Sequence, residues 1–169
     1  MLSILNGTKE AKINERDINL DKSWSMVAIV KHSTLLTSLA FDYLSSNDGN
    51  TITFIHSTPG FVKTDTPRTV YPSKKNGLFW WALLSILQIV SGWVIHLFGM
   101  PAKESGERHA FMLTDEAYGT PGSWKTNMLS EVVPDNEVLK RYREDGWMER
   151  IWEFTNRVWD KALGTGVRQ

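Results

Sequence analysis

The chain contains no cysteine. That excludes disulfides, thiolate nucleophiles and cysteine-ligated zinc, and it is compatible with a reducing compartment, so the expected location is the cytoplasm. Neither sign of charge is in excess: lysine plus arginine and aspartate plus glutamate number 19 each. The molecule as a whole therefore offers no field that would gather nucleic acid, and none is expected as a partner. The four histidines, His32, His56, His96 and His109, are widely spaced and form no ligand set, so no metal site is expected and each reads as a structural group. The opening "MLSILNGTKEAK" lacks both the basic start and the long apolar core of a signal peptide, which leaves the sequon Asn6-Gly7-Thr8 idle by expectation. No internal repeat is found. The late Gly164-Thr165-Gly166 opens no helix and is not a phosphate loop.

What is present suits one globular domain over 1–169: 169 residues with 41% apolar and 11% aromatic content can bury a sizeable core. The short apolar run "LSIL" (2–5), stopped by Asn6-Gly7, reads as a buried strand and turn, followed by a polar connection. From Trp24 to Leu44 apolar residues largely follow helical spacing, and "SSNDGN" ends the pattern, which predicts a long, mostly buried helix over 24–45. "TITFIHS" (51–57) is rich in β-branched and aromatic residues and nearly continuous in hydrophobicity, as expected of a strand covered on both faces. "HAFMLT" (109–114) reads as a further strand, with the segment between them serving as the crossover of a parallel pair. "PDNEVLKRYREDG" and "WMERIWEFTNRVWDKAL" predict two C-terminal helices, the first capped by Asp135-Asn136 and stopped at Gly146. Their aromatic residues are assigned to core packing, and the carboxylates of 15–17 and 131–137 to structural roles.

Between Lys75 and Lys103 there is no charged residue, and the apolar segment 77–100, with its helix at 78–98, is long enough to cross a bilayer. Trp80 and Trp81 at one end and the basic "RTVYPSKK" before it resemble an interfacial belt and flank. Ser85, Gln88, Ser91, Gly92 and His96 count against a span, and so does topology: strands before and after a single span could not share a sheet. A spanning helix and peripheral membrane contact stay open. The expectation is a buried or lid-like helix of the substrate region.

The residues "FIHSTPGFVKT", "SGERHAFMLT" and "REDGWMERIWEFT" resemble the short-chain dehydrogenase/reductase superfamily, in particular fungal members found among natural-product biosynthetic enzymes. The resemblance covers nearly the whole chain but only the family's C-terminal half. No glycine-rich turn joins a first strand to a first helix, and that turn is what holds the cofactor pyrophosphate in a doubly wound sheet. By resemblance, Pro59, Gly60, Val62 and Thr64 would sit beside the nicotinamide of an NAD(P) cofactor: glycine for close backbone approach, valine for the carboxamide edge, threonine for a hydroxyl contact. On the residues alone, the same stretch is an ordinary strand-to-turn corner.

The family's Tyr-x-x-x-Lys pair exchanges a proton as hydride moves, the lysine lowering the tyrosine pKa. Matching the family's helix to "WSMVAIVKHSTLLTSLAFDYL" puts Trp24 or Ser25 at the tyrosine and Ala28 or Ile29 at the lysine, and neither registration restores the pair. Lys31 has Val27 one turn upstream, Tyr43 lies far down the helix, and Leu5 and Asn6 stand where many members place a serine. No catalytic residue is assigned.

The expected fold is α/β: a partial, Rossmann-like C-terminal half of a doubly wound parallel sheet, with C-terminal helices. What the resemblance implies is a nicotinamide-dependent oxidoreductase of fungal secondary metabolism acting on a carbonyl or alcohol of an apolar small-molecule substrate. Two alternatives remain: an inactive, truncated paralogue that binds or depends on a partner, and a membrane-associated protein anchored by 78–98. A homologous protein or a separate N-terminal half would be that partner, since an incomplete sheet leaves an open edge.

Overall fold

The computed structural model describes residues 1–47, 49, 51–63 and 77–164. Their elements are β1 (Leu2–Ile4), α1 (Met26–Asn47), β2 (Thr53–Ser57), β3 (Val62–Lys63), α2 (Leu78–Phe98), β4 (Met100–Pro101), α3 (Ala102–Thr114), a 3-10 turn (Glu116–Tyr118), β5 (Gly122–Thr126), α4 (Glu137–Glu144) and α5 (Trp147–Leu163). The fold is α/β, with the small parallel sheet of a partial Rossmann-like arrangement. Two compact units divide the chain: Met1–Thr58 together with everything from Phe111 onward, and Pro59–Ala110.

The first unit holds a three-stranded sheet in the order β1-β2-β5, with both pairings parallel. Ile4 stands opposite Ser57, and Ser57 opposite Thr126, so the three strands finish at one common edge. Parallel neighbours in sequence order are what the second half of a doubly wound sheet provides. One face of the sheet is covered by α1, and α4 and α5 pack in turn against α1 in a core that joins Ile13, Leu35, Leu39, Leu139, Tyr142, Trp147 and Ile151. Leu35, Leu39 and Leu139 are fully buried, each contributing about 2 kcal/mol by leaving water. The opposite face packs Ile55 against Met112 and Tyr118, with Leu2 and Trp124 at the margin. The outer edge of β5 is covered by its own chain: Val133 donates its N–H to Lys125 O at 2.8 Å and Asn127 donates to Glu131 O at 3.0 Å. Among the described residues, no strand pairs with the free side of β1.

Local chemistry explains the element ends. The Asn136 side chain accepts from Leu139 N–H and opens α4, while Gly146, at φ 71°, adopts the left-handed conformation that lets α5 start in a new direction. Both features agree with the sequence reading.

One strand does not. Residues 109–114 are the last turns of α3, and the third strand of the sheet is 122–126. A short apolar run such as "AFML" cannot distinguish strand from helix by hydrophobicity. The helical spacing decides: Arg108 pairs with Glu104 at 2.8 Å, His109 Nδ1 meets Ser105 O at 2.6 Å, and only Met112 of the run is buried. β5 escaped notice because "GSWKT" is polar, yet Lys125 and Thr126 are 3% and 0% exposed.

The second unit contains α2, α3 up to Ala110, and the two-residue parallel pair of β3 with β4, Val62 opposite Met100. α2 occupies 78–98 as read from the sequence, and of the two expectations for it, buried or lid-like, burial is not met: none of its residues is buried. Its apolar composition and length produced the expectation, and neither reports what lies against a helix.

Candidate functional site

In open parallel sheets, ligands bind outside the carboxyl ends of the strands, because loops diverge there and backbone groups leave the ladder. That edge in this protein is formed by Asn6, Gly7 and Thr8 after β1, by Thr58 after β2 and by Asn127 after β5. Leu5 N–H donates to Ser57 O at 3.0 Å and Thr58 N–H to Thr126 O at 2.9 Å, which extends both pairings one residue past the strands. The Thr8 and Thr58 hydroxyls lie 3.1 Å apart. Gly7 permits this tight edge: a Cβ there would stand 2.1 Å from the His56 carbonyl oxygen. Ser57, at 1% exposure, has a hydroxyl with no hydrogen-bond partner.

Pro59, Gly60 and Val62 begin the second unit. Pro59 is half-buried, Gly60 is exposed at φ 68°, and Val62 pairs in register with Met100, whose N–H donates to Phe61 O at 2.8 Å. The left-handed Gly60 gives a physical reason for glycine at this corner. Thr64 lies outside the described residues.

The hydroxyl and amide groups of the edge suit a carboxamide and ribose hydroxyls, so the nicotinamide end of a dinucleotide fits the donor set. Among the described residues the pyrophosphate has no equivalent place. β1 runs into a connection of loops and turns that reaches α1 only at Met26, so no helix N-terminus follows the strand to present backbone N–H groups.

The start of α1 is where the family's proton-exchanging pair would lie. Trp24 is 67% exposed, and the Ser25 hydroxyl accepts from Ala28 N–H at 3.1 Å, capping the helix. Ala28 and Ile29 supply no cation, and Lys31 is exposed. Neither registration of the motif brings together a proton donor and a lysine.

A network that the sequence reading missed lies between the sheet and its helices. Lys125 reaches Asp42 at 3.2 Å and Asp135 at 3.1 Å, and Arg143 binds the same two carboxylates, Asp42 at 2.7 Å. Burial opposes the Asp135 charge, but Lys125 and Arg143 outweigh it and hold the carboxyl below its usual value. The same burial acts against Arg143, whose pKa is nevertheless raised by Asp42 and Asp135. Beside it, the Ser38 hydroxyl donates to Glu10 Oε1 at 2.6 Å and meets His56 Nδ1 at 2.8 Å. With its hydrogen given to Glu10, Ser38 accepts from an Nδ1–H of neutral His56, leaving Nε2 buried without a partner. Burial, reinforced by the Lys125 charge and opposed by Asp42, lowers the His56 pKa to about 4. Burial raises that of Glu10 against its hydrogen bond from Ser38.

Ser38 and His56 are both fully buried, and the network ties α1, β2, β5, α4 and the segment before it together. The signal available in sequence was weak: Asp42 sits on an apolar helix and Lys125 in a five-residue strand. Two of the other acidic candidates make hydrogen bonds within the fold. Asp17 accepts from the N–H groups of Asp21, Lys22 and Ser23 and from the Ser23 hydroxyl, and Glu15 accepts from the Tyr142 hydroxyl. His32 also bonds the chain locally, taking Asn14 N–H at its Nε2 with Nδ1 3.2 Å from Ile18 O. Among the described residues no group of acidic or histidine side chains could hold a metal ion.

No family model matches the chain, and no solved structure does. Among curated proteins, it is 30% identical to the oxidoreductase lepF of Aspergillus flavus, across 98% of this chain and 53% of that protein. It is 26% identical to the oxidoreductase AN1596 of Emericella nidulans, across 96% of this chain and 54% of that protein. A third relative, the NmrA-like family domain-containing oxidoreductase notO of an Aspergillus species, is 22% identical across 98% of this chain and 50% of its own length. The chain thus spans about half the length of the curated relatives it matches, all of them fungal proteins named as oxidoreductases.

Proposed function

We propose that the chain is the nicotinamide-side half of a fungal oxidoreductase fold, of short-chain dehydrogenase/reductase type, that acts on a carbonyl or alcohol of an apolar small molecule in secondary metabolism. The observation that carries this is the parallel order β1-β2-β5 with its polar carboxyl edge, from which β2 leads directly into Pro59 and the left-handed Gly60. The three oxidoreductase relatives support the same class of chemistry. In this reading Asn6, Thr8 and Thr58 offer hydrogen bonds to the nicotinamide and its ribose, and a bound NAD(P) would supply or accept hydride; Pro59, Gly60, Val62 and Thr64 are cofactor contacts by the family resemblance alone. The pyrophosphate turn comes from a partner half, which pairs along the free side of β1.

A second reading is favoured by the start of α1. With Trp24 exposed and the Ser25 hydroxyl committed to a cap, the chain lacks the proton relay of the family, and it serves as a cofactor-binding or partner-dependent protein without turnover. Titration of reduced nicotinamide cofactor, followed by energy transfer from tryptophan, tests both. Saturable binding that weakens about fivefold in Thr64→Ala, the value of one hydrogen bond, supports the cofactor assignment. No saturable response from the folded chain refutes it. Binding without hydride transfer to any carbonyl substrate, even with a homologous partner present, leaves the second reading.

A further inference from the structure

α2 is apolar around most of its circumference. Leu84, Ile86, Leu87, Ile89, Val90, Trp93, Val94, Leu97 and Phe98 are all between 39% and 75% exposed, and no residue of the helix is buried. Most of its polar or small residues gather on one side: Ser85, Gln88, Gly92 and His96 follow one another at helical spacing of three to four residues, with Ala82 and Ser91 flanking that line. A helix with this composition requires an apolar surrounding, either a protein core or a bilayer. At 21 residues it is about 31 Å long, enough to cross the hydrocarbon layer.

Crossing is forbidden by the chain's own topology. β2 precedes α2 and β5 follows it, yet the two strands are hydrogen-bonded neighbours from Thr53–Gly122 to Ser57–Thr126. One crossing between them would leave them on opposite sides of the membrane. No second helix among the described residues has the length and apolar character to return the chain, and 64–76 carries Asp65, Arg68, Lys74 and Lys75 in too few residues to do so. The apolar surface must therefore enter from one side.

Charge identifies what it enters. Lys63, Arg68, Lys74 and Lys75 precede the helix against one acidic residue, Asp65, so the sequence before it is basic, whereas after it Lys103 and Arg108 are matched by Glu104 and Glu107. Trp80 and Trp81 lie near the first end and Trp93 near the second, where indole rings favour the headgroup level. A basic stretch leading into an apolar, tryptophan-ended helix complements an anionic lipid surface, whereas a core-filling contact with another protein would not call for it.

We infer that α2 is a one-sided membrane anchor: it embeds its apolar face in a single leaflet of an anionic membrane, drawn there by the basic sequence that precedes it, with the Ser85-Gln88-Gly92-His96 stripe turned to the interface. This places an apolar-substrate protein at the surface of the phase in which such substrates dissolve, but it does not depend on the oxidoreductase reading.

The full chain is tested by flotation with phosphatidylcholine vesicles with and without phosphatidylserine. The wild-type chain is expected to float with both and more tightly with phosphatidylserine. Lys74→Glu with Lys75→Glu should weaken binding to the anionic vesicles about fivefold or more per lysine, while Leu87→Glu with Trp93→Glu, at positions already exposed, should abolish flotation. On bound vesicles, trypsin added outside should cut at both Lys74–Lys75 and Lys103. The inference is overturned if the chain floats with neither vesicle, if the glutamate pair in α2 floats as well as wild type, or if only one of the two tryptic sites is accessible. It is also overturned if the chain forms a dimer through α2 that the glutamate pair dissolves, with no vesicle binding.

Discussion

Acidification should destabilise the protein through one side chain, His56. Its ring is fully buried, its Nδ1–H is held by Ser38, its Nε2 has no partner, and its pKa falls from the model-peptide value of 6.5 to about 4. In the unfolded chain the imidazole takes up a proton below about pH 6.5, while the folded chain refuses it until about pH 4. Stability from this group is thus fully present above the unfolded pKa, declines as pH falls between the two values, and levels off below the folded one. The difference is worth about 3 kcal/mol, or roughly 6–12 °C in Tm for a chain of this size.

Urea unfolding followed by tryptophan fluorescence at stepped pH, on wild type and on His56→Asn, measures it. Asparagine can still donate an N–H toward Ser38 but does not titrate. It also forfeits the ring packing against Phe41, a cost that does not vary with pH. Glu10 acts with the opposite sign, since its raised pKa makes the protein gain stability as it protonates, but both chains share that contribution. The stability of wild type minus that of His56→Asn should therefore drop by about 3 kcal/mol between neutral pH and pH 4. A difference that stays constant to within about 0.5 kcal/mol would refute the burial argument for His56.

Other substitutions probe separate parts of the account. Lys125→Met leaves Asp42 and Asp135 to share Arg143 alone and should cost about 3 kcal/mol in chemical denaturation, much of it recovered by adding Asp42→Asn. In Gly7→Ala the new Cβ would meet the His56 carbonyl at 2.1 Å, a backbone atom that cannot turn aside, so β1 must part from β2 and stability should fall by about 2–3 kcal/mol or more in thermal melts. Ser25→Ala removes a helix cap and should lower stability by about 1 kcal/mol while leaving cofactor affinity unchanged; a loss of affinity would give this hydroxyl a binding role instead.

Periodicity gave up the helices readily because their faces are repeated over many turns. α1 and α2 appear where the sequence places them, and the Asn136 cap and Gly146 mark the boundaries of α4 and α5 through chemistry local to those residues. The strands were harder. β1 and β2 announced themselves as apolar runs, but β5 is a strand by virtue of Lys125 and Thr126 finding partners far away in sequence, Asp42 and Asp135 for one and Met112 for the other. No local pattern encodes a lysine that is buried because two distant carboxylates await it, and the apolar "AFML" of α3 offered a more conspicuous substitute. The Pro59-Gly60 corner was legible as a turn, which the left-handed backbone of Gly60 fits, while its proposed place beside a cofactor came from the resemblance. The polar edge of Asn6, Thr8 and Thr58 was not legible, since it exists only once β1 and β2 lie side by side.

The central proposal is that the carboxyl edge of this half-sheet receives the nicotinamide end of a cofactor and that none of the described residues receives the pyrophosphate. Titrating the folded chain with reduced nicotinamide mononucleotide and with the reduced dinucleotide, read by energy transfer from tryptophan, tests both halves of it. Saturable binding of the two with the same affinity is the predicted result. Failure of both to bind, or dinucleotide binding tighter than the mononucleotide by about tenfold or more, would contradict it.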